Sequence, residues 1–436
     1  MIQITEKQNC CGCEACVQAC PKKCISMKRD AEGFLYPFAD HNTCIDCGLC
    51  EKVCPVLNQY DGLEPTKVLA AINKDEDVRA KSSSGGVFTL LAEEIISNGG
   101  VVFGACFDED WQVVMDAAET MEQIASFRGS KYVQARVGDS YARCKQYLDA
   151  GREVLFTGTP CQIAGLLHFL RKPYEKLLAV EVICHGVPSP VVWKKYLGEV
   201  LSTQGINDRL KGQDYTIQYD KESKKITLTF PRAKNAFMRA YLSDLISRPS
   251  CSACPAKDGK SHADITLADF WGIECVVPSM YDDRGTSMVL VHTAKGMKAI
   301  PFDKLQYEES DKSVLKYNAS YLKSSVAHPK RSAFFEALNT VTDLQLLVEE
   351  ALRPTFKQKM EQLKHPLGLA KNMIYTTLKP VLKPVSNPTG GGVFSTKEYC
   401  SKLSLSNSPR ITGISFRDKR AGWKSYSLSI EIQLDG

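Results

Sequence analysis

Two runs of cysteines near the start of this sequence have the spacing to bind iron. Each run reads C-x2-C-x2-C-x3-C-P and ends at Pro21 or Pro55. Three thiolates on one tight loop can bind three irons of one [4Fe–4S] cluster, and the fourth, one helical turn later, faces a second cluster. The spacing therefore predicts two clusters with crossed ligand sets, which are Cys10, Cys13, Cys16 and Cys54 on one and Cys44, Cys47, Cys50 and Cys20 on the other.

Zinc or disulfides are the alternative uses of these cysteines. A structural zinc site usually pairs two C-x2-C units and has no use for the x3-C-P tail. A disulfide framework suits a small secreted chain, which this sequence is not. Cys11 and Cys24 lie beside the first run but outside its spacing, so we expect that neither is a ligand.

Composition limits the class of protein further. The chain has 436 residues and a formal net charge of +5, which is enough length for two or three domains. The first residues lack the apolar core of a signal peptide, and no apolar run reaches the length of a membrane span. Cysteines in metal-type spacings indicate a reducing compartment, so we expect a cytoplasmic protein. The sequence has no nucleic-acid motif and no basic stripe.

Strands alternate with helices from residue 68 onward. Predicted strands lie at 25–28, 34–38, 68–72, 101–107, 113–117, 153–156, 177–183, 263–269 and 288–292, with a hairpin at 216–230. Predicted helices lie at 87–97, 140–148, 163–170, 236–246, 332–337, 344–352 and 357–363. The pattern predicts an α+β ferredoxin-like N-terminal module, an α/β mixed-sheet domain, and a helical, partly irregular C-terminal region.

A third C-x2-C pair, Cys251 and Cys254, needs two more ligands to complete a metal site. Cys161 and Cys184 each follow a predicted strand, and functional loops of such sheets gather at the carboxyl ends of the strands. We therefore expect a third [4Fe–4S] cluster on Cys161, Cys184, Cys251 and Cys254. A structural zinc on the same residues, or burial of Cys161 and Cys184 as small apolar side chains, remain alternatives. His185 is either a ligand, a proton donor or a structural loop residue.

Three loops have the small or basic residues that favour phosphate binding. One contains Ser83, Ser84, Gly85 and Gly86 at a helix start, where backbone amides and the helix dipole attract anions. The other two loops contribute Arg128, Ser130 and Lys131, and Thr157, Gly158 and Thr159. Serine capping is an ordinary alternative for the first loop, and none of the three forms a dinucleotide fingerprint or a P-loop.

Together these motifs resemble the coenzyme F-420 hydrogenase/dehydrogenase beta-subunit family. The resemblance is carried by residues 82–86, 128–134, 157–165, 184–189, 251–255, 263–265 and 269–272, and it covers about residues 1 to 330. It implies an iron–sulfur flavoprotein that relays electrons between ferredoxin-type clusters and FAD. In some members a deazaflavin accepts the electrons, and chlorophyll-reducing relatives deliver them to a tetrapyrrole. Carried over, Cys161, Cys184, Cys251 and Cys254 would hold a cluster near the flavin, and the three loops would contact FAD.

Two features depart from the pattern of the family. Ala268 precedes Asp269 where the family more often has glycine. Residues 414–423 lie near the C-terminus, whereas relatives carry such a segment before the stretch matching residues 235–243. We therefore predict a cluster domain at 1–60, an oxidoreductase domain at 66–300 with a boundary near 150, and a helical tail at 301–436 with a displaced family-like segment at 410–430. We expect residues 390–436 to pack poorly.

Three functions are open at this point. The chain could be an oxidoreductase that passes electrons from a ferredoxin or another redox protein, through clusters and FAD, to a small organic acceptor. It could instead be an electron-transfer subunit with no substrate of its own, or a scaffold that has lost its flavin. No catalytic residue and no nicotinamide-binding fingerprint can be assigned.

Overall fold

The structure is a computed structural model that describes residues 1–201, 216–220, 225–231, 235–354, 392–393, 410–418 and 426–433. The strands are β1 Ile25–Arg29, β2 Leu35–Ala39, β3 Lys67–Asn73, β4 Val101–Phe107, β5 Val113–Ala118, β6 Val154–Gly158, β7 Leu177–Val182, β8 Thr216–Asp220, β9 Lys225–Pro231, β10 Ile265–Asp269, β11 Ser287–Val291, β12 Leu305–Ser310, β13 Gly392–Val393, β14 Arg410–Asp418 and β15 Tyr426–Gln433. The helices are α1 Ala15–Ala19, α2 Leu49–Lys52, α3 Glu76–Ala80, α4 Val87–Ser97, α5 Met121–Ile124, α6 Ser140–Asp149, α7 Pro160–Leu170, α8 Pro190–Leu201, α9 Ala236–Leu242, α10 Ile273–Val276, α11 Ala294–Ala299, α12 Arg331–Leu338 and α13 Leu344–Ala351.

The N-terminal module contains two short helices and one hairpin. Strands β1 and β2 pair antiparallel, as their alternation predicts. Helices α1 and α2 each begin inside a cysteine run and pack against each other. Glu14 and Gly48, which cap their first turns, have φ values of 60° and 68°, so each run turns sharply between its second cysteine and its helix.

An eight-stranded mixed sheet forms the centre of the chain, in the order β12-β3-β11-β10-β7-β6-β4-β5. Strands β4, β6, β7 and β10 are parallel neighbours, and β3 runs in the same direction because it and β10 both pair antiparallel with β11. Apolar clusters cover both faces of the sheet. The mixed α/β fold predicted from the sequence is confirmed, and the carboxyl ends of these five strands share one edge.

In the described residues 410–418 and 426–433, the C-terminal segment forms strands, which differs from the expectation of a helical tail. Strand β15 pairs antiparallel with β9 along its length, and the order β13-β8-β9-β15-β14 forms a second, five-stranded sheet. Leu428 and Ile430 of β15 are fully buried. Their period-two alternation favours a strand, but it identifies no partner, because the β8–β9 hairpin lies about 200 residues earlier. The displaced segment thus joins strands that precede Asn235.

Several smaller predictions can be compared with the structure. Helix α9 ends at Leu242 rather than at residue 246, since Asp244 adopts a left-handed φ of 56°. The hairpin at 216–230 and the helices near 332–337 and 344–352 are confirmed. The predicted helix at 357–363 lies outside the described residues. Among the described residues, the helices are all too short or too polar to span a bilayer.

Candidate metal centres

The first cysteine set is gathered by the packing of α1 on α2. Cys13, Cys16 and Cys54 are all buried. Burial raises the pKa of Cys16, and the neighbouring Cys10 and Cys54 thiols raise it further. Burial also raises the pKa of Cys54, where Cys10 is again a neighbour. The last cysteine of the second run therefore lies with the first run, which is the arrangement that crossed ligation requires.

The second set lines one cleft at the surface of the N-terminal module. The cleft is bordered by Cys20 of the first run together with Cys44, Cys47 and Cys50 of the second. Cys47 is exposed, so this set lies nearer to solvent than the first. Cys24 borders the same cleft and its sulfur lies 3.3 Å from that of Cys20. The spacing alone gave no reason to expect Cys24 at this position.

The third set brings together two strand ends and one short turn. Cys161 follows β6 and Cys184 follows β7, while Cys251 and Cys254 lie in the 3-10 turn Pro249–Ala253 and directly after it. Burial raises the pKa of Cys251, and the nearby thiols of Cys184, Cys161 and Cys254 raise it further. The four cysteines predicted to form a third site are therefore neighbours in space.

Backbone amides point at two sulfurs of the third set. The amide of Gly186 donates to the sulfur of Cys184, and the amide of Val187 donates to the sulfur of Cys251, both at 3.4 Å. Lys257 donates to the carbonyls of Cys184 and Ser320, each at 2.5 Å, and so holds this loop in place. Hydrogen bonds from amides to sulfur stabilise thiolates, and they tune the reduction potential of a cluster that those thiolates bind.

The first and third sets meet where helix α7 packs on the N-terminal module. The neighbouring buried Cys11 thiol raises the pKa of Cys161, and burial of Cys161 itself raises it further. A β-carbon on Gly165 of α7 would lie 2.9 Å from the β-carbon of Cys13, so glycine is what permits this approach. Cys11, which the spacing predicts to be a non-ligand, lies between Cys13 and Cys161.

Across the described part of the chain, no group of three or more His, Cys, Asp or Glu side chains is arranged to hold one metal ion. A tetrathiolate zinc site binds all four sulfurs to the same atom, whereas each thiolate of a [4Fe–4S] cluster binds a different iron. The preference for clusters over zinc therefore rests on the x3-C-P tail of each N-terminal run.

Two of the three predicted phosphate loops lie close together. The Arg128 guanidinium donates from Nε to Thr89 Oγ1 at 3.2 Å, which ties its loop to the first turn of α4 behind Gly86. The hydroxyl of Ser84 is buried without a hydrogen-bond partner. Gly86 has a φ of 82° and caps α4. Ser83 and Ser130 are exposed. An arginine and an unpaired hydroxyl are groups that a diphosphate could engage.

The remaining predicted contacts already serve the chain itself. Lys131 donates to the carbonyls of Ser126 and Arg128, and burial lowers its pKa to about 7. Thr157, in the loop with Gly158, donates to the Phe103 carbonyl. Thr159 forms a capping box with Gln162 and approaches the sulfur of Cys161 at 3.4 Å. No hydrogen bond within the described ranges joins the 157–159 loop to the other two loops.

His185 is held as part of the loop beside Cys184. Its Nδ1 lies 2.7 Å from Ser320 Oγ, and its ring stacks on Trp271 at a centroid distance of 4.9 Å. This arrangement agrees with the structural-loop interpretation. Sequence reasoning missed two cations at this site, Arg248 and Lys257. They flank the third C-x2-C pair at three residues on either side. That symmetric placement was the available signal.

A buried polar chain lies next to the third set. Thr266 Oγ1 lies 2.7 Å from Glu181 Oε1 and 2.8 Å from His292 Nε2, and His292 Nδ1 lies 3.1 Å from the Leu63 carbonyl. Burial raises the pKa of Glu181 to about 7 and lowers that of His292 to about 4. Thr266 donates its hydroxyl proton to Glu181 Oε1, and the His292 ring lies between the same hydroxyl oxygen and the Leu63 carbonyl.

Replacing Glu181 by glutamine is expected to remove a pH dependence of stability. The Glu181 pKa rises from 4.5 to about 7 on folding, so the folded state binds the extra proton and stability falls as pH rises through this window. Over this pH window, the free energy of unfolding of the wild type should fall by on the order of 3 kcal/mol relative to that of Glu181→Gln, because one pKa unit corresponds to about 1.4 kcal/mol. Anaerobic thermal unfolding across the window measures this, with the exposed Glu336→Gln as control. Parallel curves for wild type and Glu181→Gln would contradict it.

Comparisons with known proteins identify the domains that contain these cysteines. A model of the 4Fe-4S dicluster domain matches residues 9–58. Models of the N-terminal and C-terminal parts of the coenzyme F420 hydrogenase/dehydrogenase beta subunit match residues 68–139 and 151–310, together more than half of the chain. Ferredoxin 7Fe from Hydrogenibacillus schlegelii is 39% identical over 64 residues, which cover 14% of this chain and 76% of that protein.

Two larger relatives are more distant. One of the subunits of the F(420)H(2) dehydrogenase of Methanosarcina mazei is 23% identical over 195 residues, which cover 42% of this chain. The match spans 55% of that relative, about half of its length. A chain of the F420-reducing [NiFe] hydrogenase complex from Methanosarcina barkeri is 18% identical, with a TM-score of 0.39 over 69% of this chain and 92% of that one.

The order of the matched models along the chain follows the order of the sites. The dicluster domain contains both cysteine runs, and the match to the C-terminal part of the beta subunit contains all four cysteines of the third set. The chain therefore belongs to the coenzyme F420 hydrogenase/dehydrogenase beta-subunit family and carries a 4Fe-4S dicluster domain at its N-terminal end.

Proposed function

We propose that this chain is an iron–sulfur flavoprotein that relays electrons from a reduced redox protein to a small organic acceptor. The observation that carries the proposal is the packing of helix α7, which contains Cys161, against Cys11 and Cys13 of the ferredoxin-type module. Three thiol sets thereby form a continuous series from an exposed cleft to the interior edge of the large sheet. Such a series suits stepwise transfer of single electrons.

The residues of this chain have separate roles in the relay. The twelve cysteines of the three sets would hold three [4Fe–4S] clusters, with Cys11 and Cys24 outside the ligand sets. Thr159 orients Cys161, and Lys257 fixes the Cys184 loop. Clusters supply one-electron transfer, and a flavin converts single electrons into the paired transfer that an organic acceptor needs.

The flavin would be FAD, and the loops of Ser84 and Arg128, which meet at Thr89, would hold its diphosphate. Arg128 and the unpaired hydroxyl of Ser84 lie where they can bind a diphosphate, beside the amides at the start of α4. The loop of Thr157, Gly158 and Thr159 ends at Cys161, which supports a flavin position close to the third cluster. The acceptor would be a deazaflavin or another small molecule that docks at this edge.

A second function is favoured by the loops whose polar groups are already engaged. Lys131, Thr157 and Thr159 all bind groups of this chain, which leaves Arg128 and Ser84 as the predicted contacts that carry the flavin proposal. In this second function the chain is an electron-transfer subunit without a flavin, and it supplies a partner enzyme. Activity would then be found only in the complex.

Replacing Arg128 by glutamine is expected to reduce flavin retention tenfold or more. A hydrogen bond to a charged group contributes about 1.5–3 kcal/mol, and about 1.4 kcal/mol corresponds to a factor of ten in binding. Flavin extracted per chain after anaerobic purification measures the effect, together with iron per chain, which should not change. The exposed Arg136→Gln on the same segment is the control. Iron-replete wild-type chain without flavin would favour the electron-transfer subunit.

A further inference from the structure

A buried arginine connects the first and third cysteine sets. Arg248 is 1% exposed and is among the largest fully buried side chains. It belongs to the large domain, three residues before Cys251, and its carbonyl accepts from the Cys251 amide at 2.9 Å. Its side chain crosses to the N-terminal module, so one residue contacts the surroundings of two sites.

The guanidinium is directed at Cys10. Its Nε donates to the Cys10 carbonyl at 2.8 Å, and its Nη2 lies 3.6 Å from the Cys10 sulfur. The other donors reach Gln134 Oε1 at 3.0 Å and the Leu35 carbonyl at 2.9 Å. The Tyr36 ring lies 4.3 Å from the guanidinium carbon. These contacts hold the positive charge against a predicted ligand of the first cluster.

The charge of Arg248 has no carboxylate partner among these contacts. Its hydrogen-bond acceptors are two carbonyls, an amide oxygen and a sulfur. The buried Glu14 carboxyl is not among these contacts, and it accepts from the Val137 amide at 3.0 Å. An unpaired buried cation is costly, whereas thiolate ligands on a cluster would supply the missing negative charge.

The cations that line the cleft of the second set are the side chain of Lys22 and the Met1 ammonium, whose charge is paired with Glu51 at 3.0 Å. Lys22, the lysine on its border, is exposed, and so is Asp46, which lies 3.7 Å from the Cys44 sulfur. Water and salt screen such exposed charges. The buried positive charge of Arg248 therefore acts on the first set far more than on the second.

We propose that Arg248 raises the reduction potential of the first cluster above that of the exposed second cluster, so that electrons entering at the surface move inward. This inference rests on the proposed function. A nearby positive charge favours the reduced, more negative state of a cluster. Each transfer moves one electron, supplied by the reduced redox protein, and no atom moves with it. Arg248 is a positioning residue, since it acts through Cys10.

Redox titration followed by electron paramagnetic resonance tests this assignment. In Arg248→Gln, the equilibrium constant for one-electron reduction of the cluster bound by Cys10 should be at least about tenfold less favourable. This change corresponds to a reduction potential that is lower by about 59 mV. Arg248→Lys keeps the charge and should restore most of the potential. Arg239→Gln, a half-buried arginine on α9, is the control and should leave all potentials unchanged.

A second variant keeps the test decisive if Arg248→Gln loses iron. Gln134→Glu places a carboxylate where Nη1 already donates, so it neutralises the charge and should lower the same potential with Arg248 in place. Full iron content and unchanged potentials in the variants would overturn the inference but leave the relay intact. A wild-type chain without iron–sulfur signals would instead overturn the proposed function.

Discussion

Replacing both Cys251 and Cys254 by alanine is expected to remove about four irons per chain and to leave about eight. The two thiols lie within one turn, beside Cys161 and Cys184, so their loss leaves two sulfurs, which are too few to hold a cluster. Both cysteine runs of the N-terminal module remain intact. Iron and acid-labile sulfide per chain measure the loss, and electron paramagnetic resonance shows which signals persist.

The matched control is Cys275→Ala, because Cys275 is exposed and lies outside the three sets. It should retain all of its iron. The double variant should also lose electron transfer from a reduced ferredoxin to the flavin while both remaining clusters are still reduced. Unchanged iron in the double variant would contradict the third site, and a loss of zinc in place of iron would identify that site as structural.

Double substitutions can separate crossed from uncrossed ligation in the N-terminal module. If Cys54 belongs with the first run, Cys16→Ala combined with Cys54→Ala damages one cluster and removes about four irons. Cys44→Ala combined with Cys54→Ala then damages both clusters and removes up to about eight. The structure favours this outcome because, after burial, Cys10 and Cys54 raise the pKa of Cys16 more than Cys50 of the second set does.

Uncrossed ligation predicts the reverse pattern, in which the Cys44 and Cys54 pair removes only one cluster. Iron per chain distinguishes the two patterns without an activity assay. The Cys16 and Cys54 variant also identifies the electron paramagnetic resonance signal of the first cluster, because that signal should be missing from it. The same signal is the one whose potential should shift in Arg248→Gln. A shift in any other signal would separate Arg248 from the first cluster.

Local spacing made the cysteine runs predictable, because each run forms its own turn and short helix. The positions of Cys161 and Cys184 were also predictable, since strand alternation places them at one edge of a parallel sheet, while the third cluster itself stays a prediction. The contact of Arg248 with Cys10 was not predictable, because the placement of Arg248 three residues before Cys251 does not indicate a partner 238 residues away. The strands of the C-terminal segment were missed for the same reason, as β15 pairs with a strand far away in sequence.

The flavin loops show the limits of composition more clearly. Serine, threonine, glycine and lysine at strand ends indicate phosphate binding, yet Thr157 and Lys131 donate to carbonyls of their own chain. A sequence gives the number of donors in a loop but not which donors are already used. The unpaired hydroxyl of Ser84 could be identified only from its burial in the folded chain.

The most direct test of the relay is the cofactor content of chain purified without air. Iron, acid-labile sulfide, zinc and extracted flavin are measured together on one preparation. The relay predicts about twelve irons, a matching amount of sulfide, and FAD. About eight irons without flavin would contradict the third cluster and the flavin, and zinc in place of iron would contradict the relay as a whole.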